Sequence, residues 1–258
     1  MKIFFSENQV DYNTYTFNYA IYCYKESQQE LPEIYEKGFL PYTNNLTIEG
    51  DIFYLARSLR VDLARFEDTS ENRRVNRLVE PLNINLEVIP KAEFDLENPI
   101  FKEFCANYIN ERIGDDNMSH ERWDYILSRE LGTHILQFTA EGKVMGYILA
   151  AIEGGVFHYW FAFFDTEYMR SHSLGKWMMW RAIRWAKDNN LQYVYLGTVY
   201  KPKAMYKVRD HKGLAFFDGY RWNEDMKRLK ELCETDDQPK EIDHFKSLND
   251  QNVFLKSL

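Results

Sequence analysis

Three short apolar runs, residues 134–139, 144–151 and 156–164, follow one another with only Glu141-Gly142-Lys143 and Glu153-Gly154-Gly155 between them. Runs of this length joined by glycine-bearing turns have no room for a crossover, so they predict an antiparallel meander. The residues that follow predict a helix over 173–187 and a strand over 193–200. A helix delivered from the last strand of a meander and returned to a further strand must lie across the sheet, and the class that results is α/β (α+β). Trp177, Met178, Met179 and Trp180 form an apolar run too long for one helical face, which predicts a helix buried on most sides by packing.

The rest of the chain reads less regularly. Residues 85–89 predict a strand, and 98–113 a helix whose stripe is Ile100, Phe101, Phe104, Cys105, Tyr108 and Ile109. Ser119 caps a second helix that runs through Arg129. Nearer the start, 15–22 reads as a strand, 29–37 as a short helix and 52–63 as a longer strand. A helix over 71–78 is capped by Thr69 or Ser70 and stopped by Pro81. After the basic loop, 214–217 predicts a strand and 223–233 a helix. The chain thus divides into an N-terminal region, 1–81, a larger α/β domain, 82–233, and an acidic, loosely ordered tail, 234–258.

Composition narrows the function classes. With 258 residues, 45% of them hydrophobic, the chain can fill a real core. No stretch holds the roughly 18 to 20 apolar residues of a membrane span, and the opening MKIFFSENQVDY turns polar too early for a secretory signal. A cytoplasmic protein without membrane partners is expected. Cys23, Cys105 and Cys233 are scattered and lack CxxC spacing, so free thiols are expected and no metal. The net charge of −8 hides an asymmetry: residues 170–212 hold ten Lys and Arg against Asp188 and Asp210. That segment is either a solvated face or a surface for a polyanion. A second cluster, Arg57, Arg60, Arg65, Arg73, Arg74 and Arg77, is diluted by Asp62, Glu67, Asp68 and Glu71.

The loop before the 173–187 helix reads Arg170-Ser171-His172-Ser173-Leu174-Gly175. Small residues there let backbone amides face an anion at a helix N-terminus. With the order strand, two helices, meander, helix, strand, this resembles the GNAT acyltransferase superfamily, whose members bind an acyl donor at this loop; Ser173 stands where they carry glycine. Five further segments, Phe164 to Tyr168, Ser173-Leu174-Gly175, Tyr193 to Gly197, Lys203 to Lys207, and Gly219 with Trp222, resemble in order the motifs of the arginyl-tRNA–protein transferase family, including its leucyl-transferring branch. Arg57 to Val61 and Ser70 to Val75 resemble that family's Arg-rich upstream segments. The chain departs from the family in keeping only Cys23 of an N-terminal cysteine cluster, in the order Ala204-Met205, and in Thr198-Val199-Tyr200 after Gly197.

The resemblance implies transfer of arginine, or of leucine, from an aminoacyl-tRNA to the N-terminal α-amino group of an acceptor protein, marking it for degradation. No cofactor is implied. Asp165 or Glu167 would bind the acceptor amine or take its proton, and Tyr195 and Tyr206 would donate to the oxyanion or stack on the terminal adenine. Arg170, Ser173, Leu174, Gly175, Lys203 and Lys207 would hold the donor, with Arg57, Arg60, Arg73 and Arg74 as further contacts. Two other readings stay open: an acetyl-CoA-dependent N-acetyltransferase, and a non-catalytic RNA- or protein-binding relative.

Overall fold

The structure, a computed structural model, describes residues 1–13, 16–114 and 117–238. The first strands build a four-stranded antiparallel sheet. β1 (Lys2–Asp11) pairs with β2 (Thr16–Lys25), and a short helix α1 (Leu31–Glu36) then leads to β3 (Phe39–Pro41) and β4 (Asp51–Leu55). The order is β1-β2-β4-β3. β1 has no counterpart among the predicted elements. The single strand expected over 52–63 is two: the chain bends at Ala56 and Arg57, and β5 (Ser58–Asp62) joins a different sheet. The Ser58 hydroxyl holds the bend by donating to the Gly38 carbonyl at 2.8 Å.

α2 (Ser70–Val79) starts behind Thr69, whose Oγ1 accepts the Asn72 N–H at 3.1 Å. Thr69 is therefore the cap and Ser70 the first helical residue. β6 (Asn85–Pro90) is followed by α3 (Pro99–Tyr108), which continues as one π-helical turn, Ile109–Ile113, before Gly114 ends it. α4 (His120–Ser128) has the expected Ser119 cap. The meander appears as β7 (His134–Ala140), β8 (Lys143–Glu153) and β9 (Val156–Phe164). After it come α5 (Tyr168–Ser171), α6 (Leu174–Asp188), β10 (Tyr193–Thr198), β11 (Leu214–Phe217), β12 (Trp222–Asn223) and α7 (Met226–Thr235). α7 starts three residues later than expected because Trp222 and Asn223 pair with β11, and Asp225 supplies the cap. Of the predicted tail, residues 239–258 lie outside the described part.

The second sheet has eight strands in the order β12-β11-β5-β10-β9-β8-β7-β6. Only β9 and β10 run parallel; every other neighbour is antiparallel. The boundary expected at residue 81 falls inside this assembly, since β5 sits between β10 and β11 and α2 packs beside α6. One face is covered by α6, which buries Leu174, Met178, Ala182, Ile183 and Ala186. On the other face α3 and α4 bury Phe101, Cys105, Trp123 and Ile126 against Ile135, Tyr147, Leu149 and Phe163. The N-terminal sheet and α1 dock through Tyr35, Phe53, Ala151, Val156 and Tyr195.

Candidate active site

β9 and β10 pair only at Val156, Phe157 and His158, although β9 runs on to Phe164. Two local irregularities part them. On β9 the register to β8 steps from Tyr159↔Ala150 to Phe161↔Leu149, leaving Trp160 as an extra residue, and such a bulge raises the local twist. On β10 Gly197 takes φ +79°, and the pairing with β5 is irregular between Tyr195 and Thr198. The wedge between the strands is a cleft of about 610 Å³. Tyr159 to Ala162 and Phe164 line it from β9, Leu196 from β10, and Ser173, Gly175 and Lys176 from the start of α6. Tyr108, Arg112, Tyr206 and Lys207 complete the lining. Among the described residues no strand pairs with β9 on the cleft side past His158, which leaves an open sheet edge there.

The entrance to α6 is unusual. Ser173 sits at φ +52°, in the left-handed region, and its side chain makes no cap. The ordinary N-cap role open to this serine is therefore not taken up. The first-turn amides of α6 stay without a capping side chain, at the end of a helix dipole of 15 residues. Gly175 is required by a close approach: a Cβ there would lie 2.4 Å from Cε1 of Phe164. The end of β9 thus packs directly on the first turn of α6.

Tyr206 and Lys207 come from the 3₁₀ turn Pro202–Lys207. Tyr206 is 51% exposed, its ring open to the cleft. Lys207 donates to the Thr198 carbonyl at 2.9 Å, and burial pushes its ammonium down to about 8. Among the described residues no carboxylate or imidazole lines the cleft, so its phenols and lysines, Tyr206 and Lys207 among them, are its candidates for moving a proton. Lys176 is paired to Glu71 at 3.0 Å and to Asp210 at 2.8 Å.

The structure brings together Ser173, Gly175, Tyr206 and Lys207 from the predicted set. Leu174 is fully buried and contributes backbone only. Asp165 lies in the turn after β9, paired to Lys143 at 2.7 Å and accepting the Glu167 N–H at 3.0 Å. The Glu167 side chain is 81% exposed, and neither carboxylate lines the cleft. Tyr195 is in the core, stacked on Tyr35 with centroids 4.9 Å apart. Arg170, on α5, and Lys203, in the 3₁₀ turn that carries Tyr206, are exposed and do not line the cleft.

The arginines lie elsewhere. Arg57 is bidentate to Asp236, at 2.9 and 3.1 Å. Arg60 is paired to Glu36 and held between the rings of Tyr193 and Trp222, 4.0 Å from each. Arg73 donates to the Asp68 carbonyl, and Arg74 is paired to Glu71. Much of the 170–212 charge is also matched internally: Arg184 by Asp68, Lys212 by Glu67 and Lys201 by Asp237. Sequence reasoning missed Tyr108, Arg112 and Trp160. A helical stripe announces none of them as a cleft wall, because the π turn and the bulge that aim them have no local signature. Among the described residues, no three His, Cys, Asp or Glu side chains form a metal-binding group, and no helix is long and apolar enough to cross a membrane.

Residues 111–208 match the model of the acetyltransferase (GNAT) domain family, a span that runs from the π turn after α3 to the Tyr206-Lys207 turn. The mixed, largely antiparallel sheet with flanking helices is consistent with the GNAT fold. Solved structures similar to the chain include the C-terminal domain of a lysylphosphatidylglycerol synthetase from Agrobacterium fabrum, at 14% identity and TM-score 0.40, covering 69% of this chain and 54% of that one. L-PGS from Bacillus licheniformis is 13% identical at TM-score 0.41, covering 68% and 51%. FemX is 10% identical at TM-score 0.43, covering 69% and 63%. The chain therefore spans about half the length of the first two. No curated protein matches it.

Proposed function

We propose that the chain transfers an aminoacyl group from the ester of an aminoacyl-tRNA to an acceptor amine, the N-terminal α-amino group of a protein, with the chemistry in the cleft between β9 and β10. The observation that carries acyl transfer is the parted strand pair, which sets an open sheet edge, an uncapped helix start and a Tyr-Lys pair around one space. The aminoacyl ester as donor, with arginine or leucine as the group carried, rests on the ordered motifs from Phe164 to Trp222 and on the chemistry of the leaving group. A ribose oxygen leaves poorly unless it receives a proton, whereas a thiolate leaves without one. Tyr206 offers that proton at the cleft wall.

In this mechanism the amine nitrogen attacks the ester carbon, and neutral Lys207 takes its proton. The amides of Leu174 and Gly175 hold the oxyanion. The carbon–oxygen bond then breaks, Tyr206 protonates the departing ribose oxygen, and the ammonium of Lys207 returns the proton to Tyr206. Arg170 and Lys203 meet the terminal phosphates. Asp165 and Glu167 act by shaping the turn that carries Met169 and Ser173 to the cleft, and the buried Tyr195 acts as packing.

The test supplies the purified chain with radiolabelled arginyl-, leucyl- or phenylalanyl-tRNA, or with labelled acetyl-CoA, and peptides beginning with Asp, Glu, Arg or Lys. Label passing from an aminoacyl-tRNA to a peptide is expected. Label from acetyl-CoA alone would replace the donor, and no transfer from any donor would favour a binding module on the same fold.

A further inference from the structure

A second cavity, of about 350 Å³, lies between the N-terminal sheet and α4. Tyr22, Tyr42, Tyr54 and Tyr200 line it, and the Arg122 side chain reaches into it from α4. Two contacts hold the guanidinium in place: Nη1 donates to the Asn117 carbonyl at 2.6 Å, and Nη2 to the Thr43 hydroxyl at 2.9 Å. Its Nε is shielded from solvent and has no partner. Among the described residues no carboxylate lies within ion-pairing distance of Arg122, in contrast to Arg57, Arg60, Arg65, Arg74, Arg129 and Arg184, each paired to Asp or Glu. Drawing a cation out of water is costly, and burial accordingly pulls the Arg122 guanidinium below its ordinary range.

Apart from Arg122, the described wall residues are uncharged, and four of them are tyrosines. Tyr42 packs edge-on against Tyr22 and Tyr54, with centroids 5.5 and 6.2 Å apart. The Tyr54 phenol is pushed up to about 12 by burial, so it offers no negative charge at neutral pH. The remaining polar side chains in the wall are the phenols of Tyr22, Tyr42 and Tyr200, the amides of Asn8 and Asn44, and the Thr43 hydroxyl. A cavity of this size with apolar rings and one anchored cation has the make-up of a small-molecule site. The guanidinium carries more N–H groups than the Asn117 carbonyl and the Thr43 hydroxyl take up, and such a charged donor suits a carboxylate oxygen.

We propose that this cavity binds a small ligand carrying a carboxylate on a flat apolar body, and that Arg122 supplies the counter-charge. The site shares no lining residue with the transfer cleft. It therefore goes beyond the transfer reading and does not depend on it.

The test is calorimetric titration of the whole chain with 4-hydroxyphenylacetate, its neutral amide and phenyl phosphate. The acid is expected to bind at least about tenfold more tightly than the amide, as befits one charge-assisted hydrogen-bonded pair. Arg122→Gln should erase that preference, while Tyr54→Leu should weaken acid and amide alike. Should Arg122→Gln fail to fold, the acid-to-amide comparison on the unaltered chain still decides. Equal binding of acid and amide, unchanged binding by Arg122→Gln, no heat at millimolar ligand, or a preference for phenyl phosphate would each overturn the assignment. No transfer activity enters the measurement, so its failure and that of the transfer reading are told apart.

Discussion

At the scale of single residues, Lys207 carries the sharpest consequence. Burial lowers its ammonium from the ordinary lysine range to about 8, so the fraction able to accept a proton grows as pH rises through that value and then levels. An acceptor α-amine titrates nearby and would mask this, so hydroxylamine, whose nitrogen is already neutral at pH 7, is the acceptor to use. Transfer by the unaltered chain is expected to rise with a midpoint near pH 8 and to level about one pH unit above it, and Lys207→Met to lower the rate by about 10²–10⁴-fold and flatten the profile. A variant that keeps the rising limb would remove Lys207 from proton transfer. Gly175 is a second case, set by space and not by charge. Its substitution by Ala places a methyl 2.4 Å from the Phe164 ring, and an overpacked contact of this kind costs about 1–3 kcal/mol. Urea unfolding should show that loss, and Phe164→Leu in the same chain should restore part of it.

Between elements, the basic segment does something its sequence did not announce. The positive charge of α6 meets acids from the segment around α2. Asp68 takes the Trp180 indole N–H at 2.8 Å and Arg184 at 3.0 Å, while Glu71 takes Lys176. Arg184 is well exposed, so the indole bond carries much of the contact. Asp68→Ala is expected to lower unfolding free energy by about 1–2 kcal/mol, and Asp68→Asn, which still accepts the indole, by less. Equal loss in both variants would point to the charge pair instead. The same comparison shows what the sequence could and could not reveal. The meander was legible because glycine turns cut its apolar runs at strand length, and the helix caps at Thr69 and Ser119 because capping is local. The break between β4 and β5 was not, since one apolar run continues across it and only the choice of sheet separates the two. In the cleft, Ser173, Gly175, Tyr206 and Lys207 were reachable through their motifs. The parting of β9 from β10, the wall at Arg112 and Trp160, and the internal matching of the arginines depend on partners distant in the chain.

Over the whole molecule, the docking of the N-terminal sheet on the eight-stranded sheet includes a buried polar contact that can titrate. His158 of β9 shares a 2.9 Å hydrogen bond between Nδ1 and the Tyr35 hydroxyl of α1, beneath the stacked rings of Tyr35 and Tyr195. Burial first, and the charge of Lys207 second, push the imidazole down to about 3. In the unfolded chain a histidine binds its proton near 6.5. Between those two values the unfolded state therefore holds the extra proton, and stability must fall as the solution is acidified. The contribution of His158 is complete above about pH 6.5, is lost at up to about 1.4 kcal/mol per pH unit below it, and stops changing below about 3. His211, lowered to about 4 by burial, adds to the same limb over a narrower range. His158→Gln keeps a group that can meet the Tyr35 hydroxyl but cannot titrate. Its unfolding free energy is lower at pH 7, because the side chain no longer fills its site. Between pH 6.5 and 4.5, however, it should decline less steeply than that of the unaltered chain. Urea titrations at these two pH values, followed by tryptophan fluorescence, measure that slope. Parallel declines in the two proteins would mean that acid sensitivity comes from the surface carboxylates, and that the seam between the two sheets tolerates a charged imidazole.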